Sequence, residues 1–305
     1  MFRREIDELL KLPLEELTEK ANRVREEFVG KKLELCSIMN AKSGLCAEDC
    51  KFCAQAARYK TGISTYSLRS EKEIIEAAQR AKDIGAQRFG IVTSGDALSG
   101  QELSIIANAI SQISKNTGIK ACASLGTVEE EGFSLLKKAG LSRYHHNIET
   151  SPGYFDKIIT THGFESRLRT IRAAKTVGLE VCSGGIIGMG ENQEDRIQMA
   201  LILQELNVDS VPINILVPVT GTPLEKQRRI SCAEAIKAVA LFRIILKDKT
   251  IKLAAGREGI LGNSQIAAFG AGANGMIIGG YLTTKGNEIE EDRKLVEQIQ
   301  ELWKE

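Results

Sequence analysis

The chain has 305 residues, of which 43% are hydrophobic and 27% charged, as is usual for a globular protein and unlike a disordered one. Its 41 basic and 40 acidic residues give a net charge of +1, so no overall field attracts nucleic acid or an anionic membrane. Residues 1–7 carry charges where a signal peptide needs an apolar stretch, and no apolar run reaches transmembrane length. We therefore expect a soluble, cytoplasmic protein with no nucleic-acid or membrane partner.

Strand-like and helical segments alternate from residue 30 onward. The predicted strands are 33–39, 88–92, 119–125, 143–148, 179–187, 209–216, 251–255 and 274–278. A capping-box signature precedes three of the predicted helices, at Ser70 with Glu73, Thr127 with Glu130 and Ser231 with Glu234. Eight strands that alternate with helices predict a TIM-type (β/α)8 barrel, with an open doubly wound sheet as the alternative.

No linker or low-complexity segment divides the chain. We therefore predict a single domain over 1–305, with an N-terminal helical extension over 1–30 and a C-terminal helix within 285–305.

Three cysteines, Cys46, Cys50 and Cys53, form a C-x3-C-x2-C run directly after the first predicted strand. Three thiolates on one loop can hold three irons of a 4Fe-4S cluster and leave the fourth iron open. S-adenosylmethionine could chelate that iron and be cleaved to a 5'-deoxyadenosyl radical. A structural zinc site normally needs four ligands, and a disulfide framework needs an oxidising compartment, so both alternatives fit less well. The spacing, with Phe52 before the last cysteine, resembles the radical S-adenosylmethionine enzymes.

The fourth predicted strand is polar on one face, because His145, Asn147 and Glu149 alternate with the residues of the other face. Three inward polar groups would be costly without partners, so we expect them to contact ribose hydroxyls or a substrate carbonyl. Bonds to structural water are the alternative, and a histidine is often a satisfied core residue.

The fifth predicted strand is rich in glycine, which weakens a strand unless a ligand or another backbone comes close. Gly184, Gly185, Gly188 and Gly190 therefore predict a backbone edge open to an adenosyl group, with packing as the alternative. The G-x-G-x-x-G spacing of a dinucleotide site is absent.

Two polar residues stand near the ends of later strands. Asn214 is an amide within an apolar strand and is predicted to hydrogen-bond the substrate. Arg257 follows the seventh strand as a cation at the barrel mouth, with a salt bridge to Glu258 as the alternative role.

The other cysteines suggest a second cluster. Cys36, Cys122 and Cys182 fall on odd-numbered predicted strands, and Arg257 follows another one. Because alternate barrel strands contribute to the same interior layer, these four residues are predicted to converge. Three thiolates around one cavity would repel one another without a metal, although isolated buried cysteines also act as small hydrophobes. Cys232 follows a helix cap and is predicted to be structural.

Taken together, these motifs resemble the biotin synthase family over residues 30–285. The matching stretches are Cys46 to Cys53, Gln55 to Gly62, Asn147 to Ser151, Ser166 to Leu168, Cys182 to Glu191, Val211 to Leu216 and Ala255 to Glu258. The resemblance implies radical sulfur insertion into dethiobiotin, with sulfur from an auxiliary iron-sulfur cluster and two S-adenosylmethionine molecules consumed per biotin. It also implies a homodimer and a low-potential electron donor, a flavodoxin or ferredoxin.

The resemblance also implies roles for single residues. It places Cys46, Cys50 and Cys53 on the radical-generating cluster and Cys122, Cys182 and Arg257 on the auxiliary cluster. S-adenosylmethionine is assigned to Phe52, Asn147, Glu149, Arg167, Gly184, Gly185 and Ile186, and the ureido group of the substrate to Asn147 and Asn214.

The chain departs from the family pattern at Gly90, where the family has a fourth cluster cysteine. Cys36 is the predicted substitute, and the cluster is predicted to be 2Fe-2S or a larger 4Fe type. Two functions from other groups remain as alternatives: an enzyme related to hydrogenase-maturation or methylornithine-forming proteins, and a non-catalytic iron-sulfur carrier.

Overall fold

The computed structural model describes residues 3–304, so the first two residues of the charged N-terminal stretch lie outside the described part. All strand pairings are parallel. The strands are β1 (Glu34–Lys42), β2 (Arg88–Thr93), β3 (Lys120–Ser124), β4 (Arg143–His145), β5 (Glu180–Cys182), β6 (Gly185–Ile187), β7 (Ser210–Ile215), β8 (Thr250–Leu253) and β9 (Gly275–Ile277).

The sheet closes on itself. Its order is β5-β4-β3-β2-β1-β9-β8-β7-β6, and β5 also pairs with β7 where Cys182 faces Ser210. Because β5 and β6 are two halves of the predicted fifth strand, they count as one, and eight strands close the barrel. The predicted TIM-type barrel is therefore confirmed, and the open doubly wound sheet is wrong.

Helices surround this barrel, and none in residues 3–304 combines the length and apolar character that a membrane span needs. They are α1 (Arg3–Lys11), α2 (Leu14–Phe28), α3 (Glu71–Asp83), α4 (Gly100–Asn116), α5 (Glu130–Ala139), α6 (Pro152–Phe155), α7 (Phe164–Thr176), α8 (Gln193–Glu205), α9 (Cys232–Leu246), α10 (Arg257–Leu261), α11 (Gln265–Gly270) and α12 (Ile289–Leu302), with a 3-10 turn at Gly262–Ser264. The N-terminal helical extension is α1 with α2, which packs against α9, and the predicted C-terminal helix is α12.

Two of the three predicted capping boxes are present. Ser70 and Ser231 each accept a backbone N–H in the first turn of α3 and α9, and the glutamate of each box bonds back. The prediction at Thr127 is wrong, because α5 begins at Glu130 with no side-chain hydrogen bond at its cap. The Thr127 hydroxyl instead donates to the Asp96 carboxylate at 3.2 Å, which holds a loop and not a helix end.

The fourth and fifth predicted strands differ most from expectation. Regular pairing in β4 stops at His145, and beyond it the N–H groups of Ile148 and Glu149 both donate to the Gly184 carbonyl. The fifth strand is interrupted between Cys182 and Gly185. The carboxyl ends of these two strands are therefore tied to each other by irregular bonds, which shape the site described below.

We expect Gly256→Ala to destabilise the protein much more than Gly30→Ala. Both glycines have left-handed φ angles, 87° and 66°, so alanine at either position costs about 1–2 kcal/mol of backbone strain. A Cβ at Gly256 would also lie 2.0 Å from the Ile215 carbonyl oxygen, whereas a Cβ at Gly30 would have no neighbouring atom within 4 Å. With overpacking added, Gly256→Ala should cost about 2–5 kcal/mol. Urea unfolding of the cluster-free protein measures both, and equal losses would contradict the crowding.

Candidate active site

A cavity of about 340 Å³ lies inside the barrel. Four of the polar residues predicted for the ligand line it, namely His145, Asn147, Glu149 and Asn214, whereas Arg167 is not among the described lining residues. The predicted convergence of Cys36, Cys122 and Cys182 is also confirmed, since all three line the same cavity. Strand parity thus placed both sets of side chains correctly on the inner face of the barrel.

The C-x3-C-x2-C loop after β1 folds back on itself. The N–H of Cys46 donates to the Gln55 carbonyl at 3.1 Å, and the N–H of Ala57 donates to the Cys46 carbonyl at 2.8 Å. Within the loop, the N–H of Cys53 donates to the Cys50 carbonyl at 2.9 Å. These backbone bonds hold the three cysteines in one compact turn.

Asp49, inside the motif, anchors this loop to the barrel. Its buried carboxylate accepts the N–H of Thr160 at 2.8 Å and that of Thr161 at 3.2 Å, and the Thr160 hydroxyl also donates to it. Although burial raises its pKa, these hydrogen bonds lower the pKa of Asp49 well below its usual range. The loop is therefore fixed through a charged acceptor that stays ionised.

The thiols of the loop suit an iron-sulfur cluster. Burial raises the pKa of Cys50 strongly and that of Cys53 to about 11, so both thiols stay protonated until a cation stabilises the thiolates. Among residues 3–304, no three His, Cys, Asp or Glu side chains are placed so that they could bind one single metal ion. A cubane presents its irons at separate corners, so its ligands need not meet at one point.

A chain of polar contacts runs from the loop to the cavity. Nδ1 of His162 lies 2.5 Å from the Glu48 carboxylate, and Nε of Arg167 donates to Nε2 of His162 at 3.0 Å. Arg167 also lies 3.8 Å from the Glu149 carboxylate, which accepts Nδ2 of Asn147 at 3.3 Å. Sequence reasoning missed Glu48 and His162, since polar residues in loops carry little signal by themselves.

Glu149 has an unusual backbone. Its φ angle is 66°, in the left-handed region that few non-glycine residues adopt, and its side chain is buried. Such conformations cluster at functional sites, where the surrounding structure holds them. Here the backbone of Glu149 forms an isolated parallel β-bridge with Gly185, and Glu149 lines the cavity.

Protein packing accounts for the glycines of the fifth strand. A Cβ on Gly184 or Gly185 would lie 2.0 Å or 2.3 Å from a backbone oxygen of a neighbouring segment. Gly188 and Gly190 have left-handed φ angles of 92° and 109°, which favour glycine in themselves. Packing, the alternative to a ligand, therefore explains these glycines, and they are not evidence for an open backbone edge.

Phe52, within the cysteine loop, and Ile186, on β6, share an apolar environment. Both pack against a small apolar cluster that includes Cys50, Phe155 and Met189. This surface can exclude water next to the loop and offers an apolar face to a flat ring.

The two site amides are held in fixed orientations. Oδ1 of Asn147 accepts the Gly184 N–H at 3.1 Å. Oδ1 of Asn214 accepts the Ala255 N–H at 3.2 Å, and its Nδ2 donates to the Gly185 carbonyl at 3.2 Å. Two preoriented amides at one cavity wall are suited to recognise a small polar ligand.

Arg257 does not lie where the sequence placed it. It begins α10, is 1% exposed, and is not among the described residues that line the cavity. Its guanidinium donates to Tyr281 at 3.2 Å and to Gln265 and Asp292, and it lies 3.3 Å from Glu258. The salt bridge to Glu258, the alternative role, is confirmed. Arg257 holds the segment after β9 against α12.

Lys252 is one of three cations that line the cavity with the cysteines, together with Arg88 and Arg143. It lies on β8, is 4% exposed and lines the cavity. Burial raises the pKa of Cys36 to about 11. Burial acts in the same direction on Cys182, but Lys252, His145 and Arg143 outweigh it and lower that pKa to about 6. A lone lysine in the apolar strand Thr250–Leu253 was the available sequence signal.

Gly90 lies on β2 beside Cys122 of β3, with their Cα atoms in register. It lines the cavity but supplies no ligand atom. Cys232, by contrast, begins α9 and packs against the main core, as predicted for a structural cysteine.

Two family descriptions match the chain. Residues 42–203 match the Radical SAM superfamily, and residues 212–300 match the Biotin and Thiamin Synthesis associated domain. A biotin synthase of Thermotoga petrophila is 51% identical over 300 residues, which cover 98% of this chain and 99% of that one. A biotin synthase of Clostridioides difficile is 47% identical over 92% of this chain and 86% of its own length.

The chain belongs to the biotin synthase family. It is therefore a radical S-adenosylmethionine enzyme of the sulfur-inserting type, with a 4Fe-4S cluster, S-adenosylmethionine and an auxiliary iron-sulfur cluster as its cofactors. The non-catalytic carrier is thereby set aside.

Solved structures share the fold of this biotin synthase family member at lower identity. A methylornithine synthase has a TM-score of 0.83 and 21% identity, covering 96% of this chain and 91% of its own. An FeFe-hydrogenase maturase from Carboxydothermus hydrogenoformans has a TM-score of 0.79 and 20% identity, covering 97% and 77%. This likeness shows the barrel alone, and the biotin synthase relatives decide against both alternative functions.

In the cluster-free protein, we expect iodoacetamide to alkylate Cys182 before Cys36 and Cys122 at pH 7. A thiol with a pKa of about 6 is mostly thiolate at that pH, whereas Cys36, at about 11, is almost wholly protonated. The rate at Cys182 should fall as the pH drops through 6, and Lys252→Met should move that midpoint upward. Peptide mass spectrometry measures the rates, and Cys232 serves as the internal control outside the cavity. Equal rates at the three cavity cysteines would contradict the electrostatic difference.

Proposed function

We propose that this enzyme converts dethiobiotin to biotin with the reaction centred in the barrel cavity. The observation that carries the proposal is that three cysteines, two fixed amides and Glu149 line one cavity. Glu149 lies 3.8 Å from Arg167, which leads through His162 to the cysteine loop. When bound, the two clusters and S-adenosylmethionine supply a 5'-deoxyadenosyl radical and a sulfur atom.

The radical-generating cluster is assigned to Cys46, Cys50 and Cys53. The compact backbone of the loop and the anchor at Asp49 support this assignment, because they keep three thiols together without a fourth protein ligand. Arg167, 3.8 Å from Glu149, stands between the loop and the cavity as the cation for the methionine carboxylate.

The remaining assignments follow the polar and apolar parts of the wall. Phe52 and Ile186 offer the apolar face for adenine, and Gly184 and Gly185 contribute backbone only. Asn147 and Glu149 face the ribose, and Asn147 with Asn214 holds the ureido group. His145 lies beside Cys182, with their Cα atoms in register, and also lines the cavity.

The auxiliary cluster is assigned to Cys36, Cys122 and Cys182. Gly90 leaves the family's fourth cysteine position without a sulfur, which favours a larger cluster of 4Fe type over 2Fe-2S. Lys252 replaces Arg257 as a cation at this layer, because Lys252 lines the cavity and Arg257 is not among its described lining residues.

We also infer a flavodoxin or ferredoxin as the electron donor, and a homodimer working in the cytoplasm. Membership of the biotin synthase family supports these inferences.

Anaerobic incubation with dithionite, S-adenosylmethionine and dethiobiotin should yield 5'-deoxyadenosine and biotin by mass spectrometry. Cys53→Ser should abolish both products, since it removes a ligand of the radical-generating cluster. Asn214→Ala should retain 5'-deoxyadenosine formation while biotin falls about 10-fold or more, because a buried polar contact to substrate is lost. Cleavage of S-adenosylmethionine without biotin in the unaltered protein would contradict the assigned substrate.

Iron and sulfide counts test the auxiliary cluster. In a protein with Cys46, Cys50 and Cys53 all changed to serine, one cluster should remain after anaerobic reconstitution. Adding Cys36→Ala should remove it, whereas adding Cys232→Ala, the matched control, should not. Retention of the cluster after Cys36→Ala would contradict the ligand set.

A further inference from the structure

A buried carboxylate, Glu34, lies at the start of β1, two residues before Cys36. It is 6% exposed, and its carboxylate forms ion pairs with three cations. Nε of Arg88 lies at 2.8 Å, Nη1 of Arg143 at 2.7 Å and Nζ of Lys252 at 3.2 Å. We call these four residues the Glu34 cluster.

The cations of the Glu34 cluster stand among the cavity cysteines. In the sheet, the Cα of Cys36 is in register with Arg88, and that of Cys122 with Arg143. Nη1 of Arg88 lies 4.0 Å from the sulfur of Cys122, the Cys36 thiol donates to the Glu34 carboxylate at 3.8 Å, and Lys252 lines the cavity with both cysteines. The cations therefore occupy the same layer of the barrel as the three sulfurs.

The positive charge of this layer exceeds its negative charge. Each of the three cations is at most 5% exposed, and Glu34 is the single fully buried carboxylate that contacts them among residues 3–304. Glu180, which pairs with both arginines at 2.7 Å and 2.9 Å, has a side chain that is 40% exposed. Uncompensated buried charge is expensive, so this excess needs an anionic partner inside the cavity.

Three thiolates around a cluster are such a partner. Without Glu34, the long side chains of Arg88, Arg143 and Lys252 would repel one another and lose their common acceptor. With it, all three are held at fixed positions around the sulfurs, where a low local dielectric makes each charge effective.

We propose that Glu34 is a positioning residue for the auxiliary cluster: it fixes three cations around Cys36, Cys122 and Cys182, and the summed charge of the Glu34 cluster, including that of Glu34 itself, sets the reduction potential of the iron-sulfur cluster. The inference rests on the proposed function, since it needs the cluster at these cysteines. Nearby positive charge favours the reduced, more negative cluster and raises its potential, and negative charge lowers it.

Redox titration followed by electron paramagnetic resonance tests this in the protein that lacks the loop cysteines. Glu34→Gln removes a negative charge and should shift the potential upward. Lys252→Met removes a positive charge and should shift it downward, while Lys252→Arg should keep it near the starting value. Glu34→Asp keeps the charge and should rescue most of the shift. Glu102→Gln, which breaks the partly buried pair with Lys42 outside this layer, is the matched control and should change nothing.

Opposite shifts are the decisive result, because damage to packing alone would affect both variants in the same direction. If Glu34→Gln fails to fold, the pair Lys252→Met and Lys252→Arg carries the test. No shift in Lys252→Met, or an equal shift in Lys252→Arg, would overturn the inference while leaving the auxiliary cluster in place. Absence of any cluster in the parent protein would overturn the proposed auxiliary centre, and this inference with it.

Discussion

Closure of a parallel barrel is the constraint on which this molecule depends. The barrel closes where β5 pairs with β7 at Cys182 and Ser210. Every second residue of each strand must then face a small shared interior. Residues far apart in sequence then become neighbours by parity alone. Cys36, Cys122 and Asn214 line one cavity for this reason.

The same constraint explains why the interior is chemically divided. Burial raises the pKa of Cys36, whereas Cys182 lies close enough to Lys252 and Arg143 for its pKa to fall below the ordinary thiol value. The buried cysteine layer therefore comes with its own counter-charges, which are supplied by β2, β4 and β8 and not by the strands that carry the sulfurs. The carbonyl oxygens of the two amides on the wall instead accept backbone N–H groups, which fixes the direction of each amide.

The sequence predicted the fold and the cavity residues well because both follow from periodicity. Alternation of strand and helix indicated the barrel, and alternation within a strand placed His145 and Asn147 inward. The prediction that Arg257 reaches the cavity was wrong, because Arg257 lies beyond the strand, on α10. The parity of a strand does not determine where the side chains of a following helix point. Lys252, two residues from the strand start, obeys parity, but a lysine in a strand suggests a surface residue until its buried acceptor on β1 is known.

The glycine-rich fifth strand shows why a local signal can be correct about geometry and wrong about its cause. Glycine was required because something comes close, and in this barrel the close atoms belong to neighbouring backbone. That crowding breaks the strand after Cys182, frees the Gly184 N–H for Asn147, and lets Glu149 adopt a left-handed φ angle beside Gly185. The glycines therefore act on the ligand site indirectly, by shaping the backbone that orients an amide and a carboxylate.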